Sequence, residues 1–240
     1  MSSTRKGPEN AARLVREQRV RQRRRQRTLL TSLVAVAVLL IAGGVGWVVW
    51  ESQRSGSRSA PAGANADGTG IVVGSGPVTV DVYEDFICPA CGRFEQQTGT
   101  TLDQLAEQGK ARVVYHPVAY LDRASTTRYS TRASAASGCA AQGGKFREYA
   151  RALFARQPAE GGPGLSEGEL ITVGGPGGLS ERGDFGSCVR DGTYRKWTDH
   201  VTEAASRTGV VGTPTVLVDS EQVKQLSPEG ITAAVQAATR

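Results

Sequence analysis

At 240 residues the chain can hold one large domain or two small ones. Its formal charge of +6 points at first to a polyanionic partner, but ten of its 29 basic residues and two of its 23 acidic ones lie in residues 1–27, a net of +8. The remaining 19 basic and 21 acidic residues leave the rest of the chain at −2, which excludes a basic nucleic-acid-binding domain as the source of the charge.

The basic tail covers residues 1–28 and ends in the cluster Arg21-Gln22-Arg23-Arg24-Arg25-Gln26-Arg27. Residues 29–50, from Leu29 to Trp50, carry no charge and close on Trp47 and Trp50. As a helix, such a run spans about 33 Å, enough to cross a hydrocarbon core of about 30 Å. The arginines before it place the N-terminus in the cytoplasm by the positive-inside rule. A cleaved signal peptide would have an apolar region of about 7–15 residues with a small-residue cleavage site close behind. Ala64-Asn65-Ala66 is too far downstream for that. The expectation is a single uncleaved transmembrane helix in the cell membrane, with all that follows extracytoplasmic. Residues 51–77 are rich in Ser, Gly and Ala and read as a flexible linker.

A folded domain is expected over 78–240. Val78-Thr79-Val80-Asp81-Val82-Tyr83 alternates with period two and is β-branched, so it predicts a strand. Cys88-Pro89-Ala90-Cys91 follows, and then Phe94, Thr98, Leu102 and Leu105 recur at helical spacing up to a stop at Gly109. Cys88 therefore falls at a helix N-terminus, where free N–H groups and the helix dipole stabilise an anion such as a thiolate. Pro89 suits the first helical position, since its missing N–H is not needed there. A C-x-x-C pair can also be half of a zinc site, but structural zinc takes four ligands, usually as two close pairs. Cys139 and Cys188 form no second pair, and His116 and His200 stand apart, so no metal is expected. Two cysteines so placed predict reversible disulfide chemistry with Cys88 as nucleophile and Cys91 as resolving thiol, and no cofactor.

Downstream, Ala111–Tyr115 predicts a second strand, closed by His116-Pro117 and giving a strand–helix–strand unit. A helical insertion is expected over about 118–209. It includes an alanine- and serine-rich helix over Ser125–Ala141, then a stripe of Phe146, Tyr149, Ala150, Leu153 and Phe154. A capping box at Ser166 and Glu169 opens a short helix, and Trp197, Val201, Ala204 and Ala205 mark another. Thr215–Val218 returns to strand after Gly212-Thr213-Pro214, with Gln222–Leu226 as its hairpin partner. Ser227-Pro228-Glu229 then opens a last helix over Ile231–Ala238. Cys139 and Cys188, both outside the cytoplasm and outside the active pair, are expected to form a structural disulfide.

The stretch Val82-Tyr83-Glu84-Asp85-Phe86-Ile87-Cys88-Pro89-Ala90-Cys91, together with Gly209-Val210-Val211-Gly212-Thr213-Pro214-Thr215, resembles the DsbA-like thiol–disulfide oxidoreductases. The similarity runs over about Val78 to Ala238. It implies an α/β, thioredoxin-like fold with a helical insertion, and a cis bond before Pro214. It also implies a substrate-binding role for Thr213 and Pro214 beside the cysteines. Two positions depart from the family. Ala90 stands where its best-known oxidase has a thiolate-stabilising histidine, and Val82 stands where many thioredoxin-like proteins have a buried acid. Glu84 and Asp85 are nearer the pair; a proton relay to Cys91 is one reading for either, and surface solvation is the expected setting for both.

The function expected from this resemblance is an extracytoplasmic oxidoreductase, monomeric and membrane-anchored, that introduces disulfides into exported cysteine-containing proteins. Its reoxidant would be a quinone-linked membrane protein of the DsbB or vitamin-K-epoxide-reductase (VKOR) kind. Nucleic acid is not expected as a partner. The competing expectations are a disulfide reductase or isomerase on the same fold, and a tethered, non-catalytic chaperone-like binding module.

Overall fold

The computed structural model describes residues 59–240. The expected basic tail and transmembrane run lie outside the described residues. Among those described, no helix is long and apolar enough to cross a membrane.

A five-stranded mixed sheet runs in the order β1-β3-β2-β4-β5, with β1 at Ile71–Val73, β2 at Val78–Glu84, β3 at Ala111–Pro117, β4 at Thr215–Val218 and β5 at Glu221–Gln222. β2 and β3 are parallel, with Val78 opposite Ala111 and Glu84 opposite Pro117, and helix α1, Pro89–Glu107, makes the crossover between them. β4 lies antiparallel on the other side of β2, pairing Tyr83 with Thr215 and Val80 with Val218. The Cys88–Cys91 motif, which follows β2, and the Thr213-Pro214 motif, which precedes β4, therefore come to the same end of the sheet. Val80, Val82, Val113, Tyr115 and Val216 are fully buried, so the central strands sit inside the core.

α1 ends as its sequence predicts. Gly109 adopts φ +66°, and the N–H groups of Gly109 and Lys110 donate to the carbonyls of Ala106 and Leu105 at 3.0 and 2.9 Å, which satisfies carbonyls left free by the last turn.

Between β3 and β4 lies the insertion: a 3-10 turn at Asp122–Ala124, then α2 (Tyr129–Gln142), α3 (Phe146–Ala155), α4 (Glu167–Gly174), α5 (Asp184–Asp191) and α6 (Arg195–Arg207). α2 is the central helix of this part, with 12 of its 14 residues buried. That explains its small, unstriped sequence: a helix packed on every side has no solvent face to mark, and Ala and Ser allow neighbours to approach. The hydroxyl of its buried Ser134 is satisfied on both sides, donating to the Pro117 carbonyl at 2.6 Å and accepting from Thr198 of α6 at 3.0 Å. Ser166 caps α4 in a complete capping box with Glu169, and Ser227 caps the last helix, α7, at Pro228–Ala238.

Three expectations need correction. The linker does not extend to residue 77, because β1 pairs antiparallel with β3, Ile71 opposite Tyr115, and Ile71 is buried. The approach to β1 is also fixed: Asn65 Oδ1 accepts from the Thr69 N–H at 2.8 Å, and Trp197 Nε1 donates to the Gly68 carbonyl at 2.7 Å. A three-residue strand among glycines is too short for periodicity to show. The last hairpin is shorter than expected, because Asp219 and Ser220 turn with φ of 45° and 74° directly after Val218, leaving a β5 of only two residues. Finally, α5 was not foreseen. Its apolar signal is Phe185 and Val189 alone, one turn apart.

Candidate active site

β2 delivers the chain to the site at Glu84, and Asp85-Phe86-Ile87 turns it into α1. Cys88 is the N-cap, with φ −68° and ψ 115°, and Pro89 occupies the first turn. No side-chain hydrogen bond caps this end, and the N–H groups of Ala90 and Cys91 in the first turn act on the Cys88 sulfur to favour its anion. The Cys88 sulfur lies 3.4 Å from the Thr213 carbonyl, a distance at which its protonated form donates, and the Thr213–Pro214 bond is cis. Cys91, one turn into the helix, accepts a long hydrogen bond from the Asp85 N–H at 3.5 Å. Cys88 and Cys91 are unbonded to each other, with Cys88 6% and Cys91 1% exposed.

This arrangement splits the two thiols electrostatically. A hydrogen bond from the Cys91 thiol is the largest influence on Cys88, and the Thr213 side chain and the N–H groups of Cys91 and Ala90 add to it. Against the opposing effect of burial, they bring Cys88 down to about 5. Burial, together with the neighbouring Cys88 sulfur to which it donates, drives Cys91 far above the ordinary thiol range. At neutral pH Cys88 is therefore a thiolate and Cys91 a thiol.

Two acids precede the pair in the chain, and both are buried, contrary to the surface setting expected of them: Glu84 is 1% and Asp85 0% exposed. Asp85 is fully engaged. It accepts from Ile87 N–H at 3.1 Å, Leu121 N–H at 2.9 Å and the Ser130 hydroxyl at 2.6 Å, tying the catalytic turn to the insertion. Burial still raises its carboxyl to about 6. Both Glu84 oxygens lack a hydrogen-bond partner among the described residues, and burial, reinforced by Glu95, pushes Glu84 up to about 8. Glu95 belongs to a cluster joining α1 to α3, in which Arg147 binds Glu95 and Asp103 at 2.9 Å each and its guanidinium lies over the Tyr115 ring. Sequence reasoning missed the burial because charged residues closing a strand are usually solvated; the signal was that β2 is a central strand.

The loop before Pro214 is pinned on both sides. Tyr120 donates its hydroxyl to the Val210 carbonyl at 2.6 Å, and the Thr215 hydroxyl donates to the Gly212 carbonyl at 2.8 Å. Between these anchors Val211 is 93% exposed, the one large hydrophobic side chain among the described residues to stand so open. Cys139 of α2 and Cys188 of α5 are joined in a disulfide, away from the reactive pair. Among the described residues no cluster of three or more His, Cys, Asp or Glu side chains could hold a metal ion.

A family model described as thioredoxin matches residues 66–237. The chain belongs to this thioredoxin family. Its fold is similar to that of DsbG, a disulfide bond oxidoreductase from Mycobacterium tuberculosis solved in its reduced form, at 31% identity and a TM-score of 0.61 over 74% of this chain and 86% of that one. DsbA from the same organism, also reduced, is similar at 31% identity and a TM-score of 0.61, over 74% of this chain and 90% of that one. A shorter stretch of 75 residues is 40% identical to the serine/threonine-protein kinase PknE of M. tuberculosis, covering 30% of this chain. This chain spans only 13% of the length of that curated relative. By its family and its solved relatives this domain is a thiol–disulfide oxidoreductase of the thioredoxin family.

Proposed function

We propose that this protein introduces disulfides into exported proteins, with Cys88–Cys91 as the redox couple. The observation that carries the reading is the stabilised Cys88 sulfur at the mouth of α1, with the Thr213 carbonyl beside it. A thiolate held well below its ordinary range is a good leaving group, and its stability favours the reduced enzyme, which makes the oxidised enzyme an oxidant. Ala90 does not remove this property, since Cys91, Thr213 and the helix N–H groups supply the stabilisation.

The reaction starts from the Cys88–Cys91 disulfide. A client thiolate attacks Cys88 Sγ, forming a mixed disulfide and breaking the Cys88–Cys91 bond. Cys91 departs as a thiolate and takes up a proton, as its strong preference for the neutral form requires. The client's second thiolate attacks the client sulfur of the mixed disulfide and expels Cys88. Two electrons have then passed from client to enzyme, and a membrane quinone-linked protein of the DsbB or VKOR kind removes them in the next cycle. Thr213 and Pro214 present backbone to an extended client segment, and the open Val211 beside them favours a polypeptide over a small thiol.

The uncharged run of residues 29–50, flanked by arginines, supports placing this chemistry on the outer face of the cell membrane with the N-terminus inside. The Cys139–Cys188 bond supports the same compartment, since structural disulfides persist outside the cytoplasm. Trapping tests the roles of the two thiols. Cys91→Ala should accumulate mixed disulfides with exported proteins through Cys88, resolved on non-reducing gels, while Cys88→Ala should show neither adducts nor activity. Adducts in Cys88→Ala but none in Cys91→Ala would reverse the roles, and full activity in both would end the redox reading.

A further inference from the structure

Besides its bonds to Asp85, the insertion reaches the catalytic turn through Gln157. Gln157 lies just past the end of α3, where its N–H donates to the Phe154 carbonyl at 3.3 Å. Its side-chain Nε2 donates both protons forward, one to the Phe86 carbonyl at 3.0 Å and one to the Cys88 carbonyl at 2.9 Å. These carbonyls lie on either side of Ile87, in the turn that aims Cys88. The Cys88 carbonyl also accepts the first helical bond of α1, from the Gly92 N–H at 3.1 Å. Its orientation therefore sets how α1 begins.

The other end of the same amide accounts for Gly92. A Cβ on residue 92 would lie 2.5 Å from Gln157 Oε1 and 3.2 Å from its Cδ. Any side chain there would displace the amide from the two carbonyls. Gly92 and Gln157 thus form one interlocked pair, 65 residues apart in sequence, built across the reactive helix start.

We propose that Gln157 is a positioning residue for the redox couple: its amide clamps the Phe86 and Cys88 carbonyls and holds the N-cap peptide so that the first N–H groups of α1 converge on the Cys88 sulfur. The inference rests on Cys88 being the reactive thiolate. It gives the helical insertion a second task besides covering the core, since the position of α3 is relayed to the sulfur through one side chain. The direction of the effect follows. Without the amide the N-cap peptide is free to rotate, the N–H groups lose their aim, and the thiolate loses stabilisation.

The test uses Gln157→Ala, Gly92→Ala and the double variant in the reduced full chain, reading Cys88 by its ultraviolet thiolate absorbance against pH and by its alkylation rate. Gln157→Ala should move the Cys88 titration upward and slow alkylation at about pH 4, on the acid side of the Cys88 titration, by about threefold, the scale of one net hydrogen bond. Gly92→Ala, which expels the amide without removing it, should give a similar shift. The double variant should match Gln157→Ala alone, because an alanine at 157 leaves room for the new Cβ. Gln157→Met, which keeps the length and loses the donors, should reproduce the shift if the alanine variant is unstable. A folded Gln157→Ala or Gln157→Met protein that titrates like wild type overturns the proposal, as does a double variant showing the sum of the two single shifts. A purely structural glutamine would lower the melting temperature and leave the titration in place. None of these readouts needs a client protein, so wild-type activity in disulfide formation tests the functional reading separately.

Discussion

Cys88 and Cys91 are chemically identical side chains three residues apart, and their surroundings alone make one a thiolate and the other a proton holder. Cys88 receives hydrogen bonds at an uncapped helix start, whereas Cys91 sits one turn deeper, where burial outweighs the single N–H it meets. Glu84 shows the same physics with no hydrogen bond among the described residues to offset burial. Its pKa rises from 4.5 to about 8, chiefly through burial, so the folded protein holds that proton more tightly than the unfolded chain. Folded stability is therefore greatest with respect to this group below about pH 4.5 and falls as pH rises through about 8. Glu84→Gln should remove that slope. Urea unfolding midpoints at about pH 5 and about pH 9 should draw together in the variant, with the gain at the higher pH. An unchanged slope would place the titrating group elsewhere.

At the scale of elements, much of the site was legible. The period-two run of β2, the Pro89 start of α1 and the Gly109 stop are local features, and the structure follows them closely because propensity and burial agree there. What could not be read were the long-range pairings. Nothing around Asp85 announces Ser130 and Leu121 as its partners, and nothing around Gly92 announces Gln157. β1 and α5 escaped because each has too few apolar residues to set a period. The cysteine pairing in the insertion was reached by exclusion, and its structural meaning appears only in three dimensions. The bond ties the central helix α2 to α5, the short helix with a thin apolar face. Replacing both Cys139 and Cys188 with Ala should lower stability by up to about 4 kcal/mol in the chain-entropy picture for a loop of this size. Denaturant unfolding reads the loss, and the thiolate titration of Cys88 should stay in place. A variant as stable as wild type would mean that α5 docks without its staple.

For the whole molecule, the sheet brings two sequence motifs more than 120 residues apart into contact, the Cys88 thiol to the Thr213 carbonyl, because β4 returns to lie beside β2. The insertion then closes over the turn between them. The proposed placement at the membrane adds a reoxidant within reach. Fractionation of cells should find the protein in membranes and resistant to an alkaline wash, with the domain of residues 59–240 accessible to protease only from outside. A soluble product beginning near Ala64 would remove the anchor from the account.

All of this turns on whether the environment of Cys88 makes the couple an oxidant. Equilibration of the reduced and oxidised forms in glutathione buffers measures that directly. A reduction potential above about −200 mV, toward the roughly −120 mV of strong oxidases, is the predicted result, since the reduced form keeps its Cys88 thiolate at neutral pH. A potential near the roughly −270 mV of thioredoxin would mean that the couple is a reductant, and would contradict the oxidase reading at its root.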